Sequence, residues 1–301
     1  MSDIKLFRIS GGQVAELAGT SVALEKSLQT LMENDLEAFL GVRFLASEYS
    51  TGKTHAGRID TLGIDENNSP VIIEYKRSLN ENVINQGLFY LDWLLDHQAE
   101  FTLLAMNTIG PELEKAIDWS SPRLICIAGD FTKYDEHAVS QINRTIELVR
   151  YRRYSDEFMV LELVNAVTGT PTASGSTAQT KTKVKTVTEY LDQAQPDLRD
   201  LFLAAEAFMV ALGDDVSRKD TQVYIAFRRI KNFACVEVHP QSKKLLVYLK
   251  VDPDAVELAP PFTRDVREIG HFGTGDLEVT VTSIGDLERA KSLIVASYEA
   301  S

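Results

Sequence analysis

The apolar positions of the chain change period several times, and each change marks an element. In "SVALEKSLQTLMENDLEAFLG", Val22, Leu24, Leu28, Leu31, Leu36, Phe39 and Leu40 fall largely at helical spacing. This predicts a helix with a break near Asn34 and a stop at Gly41. "VRFLASEYS" reads as a strand. "RIDTLGID" and "VIIEYKRS" read as two more, joined by the turn chemistry of "ENNSP". In "ENVINQGLFYLDWLLDHQAEFTLLAMNTIG", Ile84, Leu88, Leu91, Leu94 and Leu95 form one stripe of a helix. A short strand is expected after it, around Phe101–Leu104. "RLICIAGD" then reads as a buried strand, "DEHAVSQINRTI" as a helix, and "IELVRYRRY" and "EFMVLELVNAV" as strands.

The second half starts helical in "TVTEYLDQAQPDLRDLFLAAEAFMVALG". Strands follow in "QVYIAFRR", "FACVEVHP", "KLLVYLKVD" and "LEVTVTS", with a hairpin turn near Gln241–Lys243. "SIGDLERAKSLIVASYEA" closes the chain as a helix, with Asp286 and Glu288 near the end where the helix dipole favours acids. Between the halves, "TGTPTASGSTAQTKTK" has no large apolar residue and cannot bury enough surface to offset its ordering entropy. The expected organisation is therefore an α/β domain over 1–167, a flexible linker over 168–183 and a smaller α+β domain over 184–301.

Composition narrows the picture modestly. A chain of 301 residues fits two domains, and 44% hydrophobic with 25% charged residues is an ordinary globular balance. No apolar run reaches the roughly 20 residues that span a bilayer. Lys5 and Arg8 interrupt any signal-peptide core near the start. Cys126 and Cys235 sit far apart in apolar runs and read as buried thiols, so a cytoplasmic protein is the default. The net charge is −13. Residues 1–166 hold 15 Lys+Arg against 25 Asp+Glu, and residues 167–301 hold 16 against 19. Neither half is basic overall, which weighs against a tight nucleic-acid binder, although a local basic groove can exist on an acidic protein.

The chemistry concentrates in "GRIDTLGIDENNSPVIIEYKRS". Alternation along a strand points Glu74 and Lys76 to one side and Tyr75 to the other. If Asp60 faces Glu74 across the hairpin, two carboxylates and an ammonium converge. Carboxylates that close repel unless a cation or a proton lies between them. Mg²⁺ suits such oxygen donors, with the Tyr75 carbonyl as a third ligand. Against this stands a solvated hairpin face decorated with charges, which is common. The apolar residues around the charges place them at the edge of a core, where isolated charges are costly.

"RID", fourteen residues, then "EYK" resembles the PD-(D/E)XK nuclease superfamily. Within it the chain is most similar to the branch of the archaeal NucS endonuclease and RecB-like nucleases, which share a Gly-x-x-Asp strand, a Glu-x-Lys strand and a following helix with Gln. The resemblance covers roughly residues 20–130. It implies a restriction-endonuclease-like αβββαβ core with a mixed sheet, and a metal-dependent nuclease that hydrolyses phosphodiester bonds of DNA. Asp60, Glu74 and Lys76 would be the catalytic set, with Mg²⁺ or Mn²⁺ on Asp60, Glu74 and Tyr75. Gln86 matches the helix glutamine, with Tyr90 one turn later. Glu25 matches the glutamate that the superfamily often adds from its first helix, with Glu33 and Glu37 as rivals. The substrate would be DNA, whether branched, mismatched or single-stranded, and a homodimer is an allowed assembly. The alternative is a non-catalytic nucleic-acid-binding or regulatory module on a nuclease fold.

Other motifs carry less. "STGKTH" lacks the glycine a phosphate-binding loop needs, because that position is Ser47. Lys53, Thr54, His55 and Arg58 can line a substrate channel or form a loop. The five histidines show no metal-ligand spacing. "RYRRY", Arg150 to Tyr154, reads equally as a phosphate-and-stacking surface or as a strand with one basic face. "SRKDTQVYIAFRRIKNF" is the most basic stretch, and reads as core aromatics with a solvated basic face or as a nucleic-acid contact. The second half also resembles a small domain of unknown function found after nuclease-like domains.

Overall fold

The computed structural model describes residues 4–20, 25–52, 56–76, 83–155, 157–167, 169 and 186–301. It divides into two compact units, Met1–Ala173 and Ser174–Ser301. The predicted linker, except residue 169, lies outside the described residues, as do Val22, Leu24, Lys53, Thr54, His55 and Arg77.

The first unit is a mixed α/β structure. Its strands are β1 (Leu6–Ser10), β2 (Gln13–Leu17), β3 (Gly19–Thr20), β4 (Val42–Ser50), β5 (Arg58–Asp65), β6 (Pro70–Lys76), β7 (Arg123–Ala128), β8 (Thr145–Tyr154) and β9 (Phe158–Val167). Its helices are α1 (Glu25–Asn34), α2 (Leu36–Leu40), α3 (Val83–Asp96), α4 (Gln98–Thr108), α5 (Leu113–Ala116) and α6 (Lys133–Ser140). One seven-stranded sheet runs β3-β8-β7-β6-β5-β4, with β9 also on β8. The strands β6, β7 and β8 are parallel and the remaining pairs antiparallel, so the sheet is mixed. The connection from β6 to the parallel β7 runs through α3, α4 and α5, as a parallel crossover requires. Val83, Tyr90, Leu91, Trp93 and Leu94 of α3 pack with Leu62, Ile72, Leu124 and Cys126 of the sheet. The helix comes close because residue 87 is glycine: a Cβ there would stand 2.4 Å from Leu124 Cδ1.

The second unit is an antiparallel sheet in the order β10 (Ser217–Asp220), β11 (Ile225–Arg228), β12 (Asn232–His239), β13 (Lys244–Leu249), β15 (Leu277–Val281) and β14 (Thr263–Asp265). Helices α7 (Val187–Gln193), α8 (Pro196–Val210) and α9 (Ile284–Glu299) bury Val187, Leu198, Phe202, Leu287 and Ile294 against it. A smaller cluster holds Tyr224, Cys235, Leu246 and Tyr248. No described helix in either unit is long and apolar enough to cross a membrane.

Most predicted elements stand where expected, including the break after Asn34 and the stop at Gly41. The latter is left-handed (φ 63°), and its N–H bonds to the Glu37 carbonyl, a common helix ending. The structure corrects several others. Phe101–Leu104 is helical, part of α4, and buries Phe101 and Ala105 one turn apart. The hairpin β1–β2 precedes the first helix, turning on Gly11 and Gly12, both at positive φ. The long helix of the second half is two, because Pro196 opens α8 as a helix-starting proline does. The aromatics of "RYRRY" are buried, and so is Arg150, between Asp130 (3.3 Å) and Glu162 (3.4 Å), so they form no stacking surface. In the second basic stretch Tyr224, Phe227 and Phe233 are core, but Lys219 and Arg228 are buried instead of solvated. Arg218 pairs with Glu206 and Asp220, and Arg229 with Asp215. These pairings neutralise Arg218 and Arg229.

Candidate functional site

The hairpin β5–β6 opens at the point where its charges begin. Its ladder pairs Ile64↔Pro70, Gly63↔Val71, Leu62↔Ile72 and Thr61↔Ile73. One step further the same register brings Asp60 level with Glu74. There side chains take over from the ladder. Glu74 Oε1 accepts from the Asp60 N–H at 3.2 Å, and Asp60 Oδ2 accepts from the Tyr75 N–H at 3.0 Å. The two carboxylates thus lock the fork between the strands and lie beside each other.

Glu74 is fully buried. Its second oxygen, Oε2, is buried and has no hydrogen-bond partner. Burial first, and then the Asp60 charge, push the Glu74 carboxyl up to about 9. Burial also raises Asp60, against the Tyr75 N–H and Lys76, which lower it. A partnerless buried carboxylate oxygen next to a second carboxylate must be neutralised by a proton or a cation.

Lys76 shares the Glu74 side of β6 by strand alternation. Its Nζ lies 3.6 Å from Glu25 Oε2 at the start of α1. Of the three helix glutamates, the structure therefore brings Glu25 to the lysine. Glu33 turns to Thr61, whose hydroxyl donates to it at 2.6 Å. Glu37 is exposed. The Tyr75 ring is buried, with its hydroxyl 3.5 Å from the Thr61 hydroxyl.

Gln86 bonds to the Tyr90 hydroxyl at 3.3 Å and does not reach the carboxylates. Tyr90 is core, yet its hydroxyl also accepts from the Arg58 N–H at 3.1 Å. Its ring lies over Gly57, where a Cβ would come within 2.5 Å of Tyr90 Cε1. Glycine at that position lets α3 hold the entry to β5.

Three participants escape sequence reasoning. Gln29, buried on α1, donates to the Asp60 carbonyl at 2.7 Å and also reaches Ser47 Oγ and Glu33. It ties α1 to the backbone that carries Asp60. Glu48 lies between the β4–β5 pairs Ser47↔Thr61 and Tyr49↔Ile59, level with Asp60. Lys26 (2.9 Å) and Arg58 (3.7 Å) hold its carboxylate, and the Lys26 bond lowers its pKa. The third is Lys26 itself. The spacing of Gln29 from Leu28 and Met32 marks only a helix flank, and Glu48 reads as an outward strand position, so neither carried a signal.

Among the described residues no three His, Cys, Asp or Glu side chains group as a metal site. The set present is two side-chain carboxylates and the Tyr75 carbonyl. It fits a hard cation that keeps several waters, as Mg²⁺ does, better than an ion held wholly by side chains.

Residues 187–301 match the model of a domain of unknown function (DUF5655). Over 301 residues, covering 97% of this chain and 98% of the other, the sequence is 28% identical to an uncharacterized protein of Haemophilus influenzae. The crystal structure of a repair endonuclease from Pyrococcus abyssi superposes with a TM-score of 0.30 and 17% identity, over 46% of this chain and 50% of that one. At that TM-score the likeness decides neither fold nor chemistry.

Proposed function

We propose that the first unit is a metal-dependent nuclease of PD-(D/E)XK type that hydrolyses phosphodiester bonds of DNA. The observation that carries this reading is the buried, partnerless Glu74 Oε2 beside Asp60. Asp60, Glu74 and the Tyr75 carbonyl would hold Mg²⁺ or Mn²⁺. When bound, the cation supplies charge neutralisation and Lewis acidity at phosphorus. Lys76 orients the attacking water and offsets charge developing on the phosphoryl oxygens. Glu25 holds the ammonium in place from α1. Gln86 and Tyr90 act at one remove, by fixing the start of β5. Gln29 acts likewise through the Asp60 carbonyl.

The test is a cleavage panel over duplex, branched, mismatched and single-stranded DNA, and over RNA, with Mg²⁺ or Mn²⁺. Lys76→Ala should lose cleavage while keeping its thermal transition. Full activity of that variant would remove Lys76 from the chemistry. The pairing of Lys76 with Glu25, on an acidic protein, favours a second reading, a non-catalytic binding module. Calorimetric Mn²⁺ titration of wild type and Glu74→Ala separates the two. Binding lost in the variant supports the nuclease site, and no carboxylate-dependent binding in either supports the module.

A further inference from the structure

The hairpin β1–β2 belongs to neither large hydrophobic core. Among the described residues its strands pair only with each other. All ten strand residues except Leu6 and Leu17 are exposed. Its foot is tied down, because the Tyr154 hydroxyl donates to the Ile4 carbonyl at 3.2 Å. A two-stranded hairpin by itself is marginally stable in water and needs a third strand or a packed face. Residues directly opposite each other share a face. The register sets Phe7 opposite Glu16 and Ile9 opposite Val14, with Arg8 and Ala15 on the other face. Phe7, Ile9 and Val14 are 49%, 75% and 64% exposed. Lys5 and Glu16, 3.0 Å apart, border them. An exposed apolar patch with a polar rim marks an interaction surface.

The chemistry of this face selects its partner. Its cation is paired to its anion, so it offers no net charge to a phosphate backbone. A second copy of the chain fits it by symmetry. A two-fold axis running along the hairpin lays β1 of one copy over β2 of the other. Ile9 then meets Val14 of the second copy, and Lys5 comes beside its Glu16. Each half of the face thus complements the other half in apolar and charged positions alike, as an isologous contact requires. Charge also favours this element. The whole chain carries −13 and repels its like, whereas residues 4–20, with Lys5, Arg8 and Glu16, sum to +1. We propose that the face of Phe7, Ile9 and Val14 is a homodimer contact in which two hairpins pack face to face. Ten strand residues are fewer than the roughly 20–30 a side of a stable interface, so the dimer exchanges with monomer at micromolar concentration. The proposal is independent of the nuclease reading and is tested without cleavage.

The test is sedimentation velocity of the full chain over about 1–200 µM, the range in which a weak interface dissociates. Wild type should move from monomer toward dimer as the concentration rises. Ile9→Lys and Val14→Lys, exposed substitutions outside both large cores, should each weaken association at least about tenfold. Leu103→Lys, on α4 and 58% exposed, should leave it unchanged. Hydrogen exchange on wild type separates a lost contact from a melted hairpin, because the amides of residues 6–17 should exchange more slowly at the higher concentrations. Monomer throughout the range, association that survives both hairpin variants, or exchange of residues 6–17 that ignores concentration would overturn the proposal.

Discussion

Glu74 sets the energetics of the site. In the metal-free protein its carboxyl sits at about 9 against an ordinary value of 4.5. Between those values the folded chain binds a proton that the unfolded chain has lost. The stability contributed by the protonated group is complete below pH 4.5 and lost as the pH rises through about 9. Asp60 is raised too and acts with the same sign. Glu74→Gln imitates the protonated carboxyl without titrating. Its melting temperature should therefore exceed that of wild type in chelator, with a gap that widens from pH 5 to pH 9. A gap that stays constant or narrows with pH would show that Glu74 is not held neutral by burial. Adding Mn²⁺ at pH 8 should raise the wild-type melting temperature and leave that of Glu74→Gln nearly unchanged.

At the scale of elements, the site depends on a fork that other interactions hold rigid. Behind the hairpin, Arg123 of β7 bonds Asp65 at 2.9 Å and Glu147 through Nε and Nη2 at 2.9 and 2.8 Å, all three side chains buried. Asp65 also accepts from the Asn67 and Ser69 N–H groups in the turn. In the sequence Asp65 reads only as the last residue of the strand "RIDTLGID", next to the turn chemistry of "ENNSP", and it does end β5. That reading holds no hint of the buried ion triad, because the partners lie 58 and 82 residues away in the chain. Arg123→Ala would strand two buried carboxylates and should cost about 3–5 kcal/mol in denaturant unfolding. A loss under 1 kcal/mol would mean that water reaches the triad. The strands themselves were legible because apolar alternation and turn residues are local signals. The spacing of Asp60, Glu74 and Lys76 was legible for the same reason. The helical fate of Phe101–Leu104 was not, since a short apolar run fits both a strand and a buried helix face. The roles of Gln29 and Glu48 were equally hidden, being set by which helix and which neighbouring strand pack beside Asp60.

At the scale of the molecule, the chain forms two compact units with separate hydrophobic cores. The second has its own six-stranded sheet and three helices within the described residues. Residues 186–301 expressed alone should accordingly unfold in one cooperative transition by circular dichroism. A gradual, non-cooperative loss of signal would show that this unit needs the first. The net charge of −13 remains the feature least suited to a DNA-directed enzyme. Among the described residues near Asp60, Lys26 and Arg58 pair with Glu48 and Lys76 with Glu25. The most direct measurement is single-turnover cleavage of the best DNA in the panel by wild type and Asp60→Ala, at equal folded concentration, with Mg²⁺ or Mn²⁺. Metal-dependent cleavage by wild type that falls to background in the variant is the predicted result, and equal cleavage by the two proteins would contradict the assignment of the site.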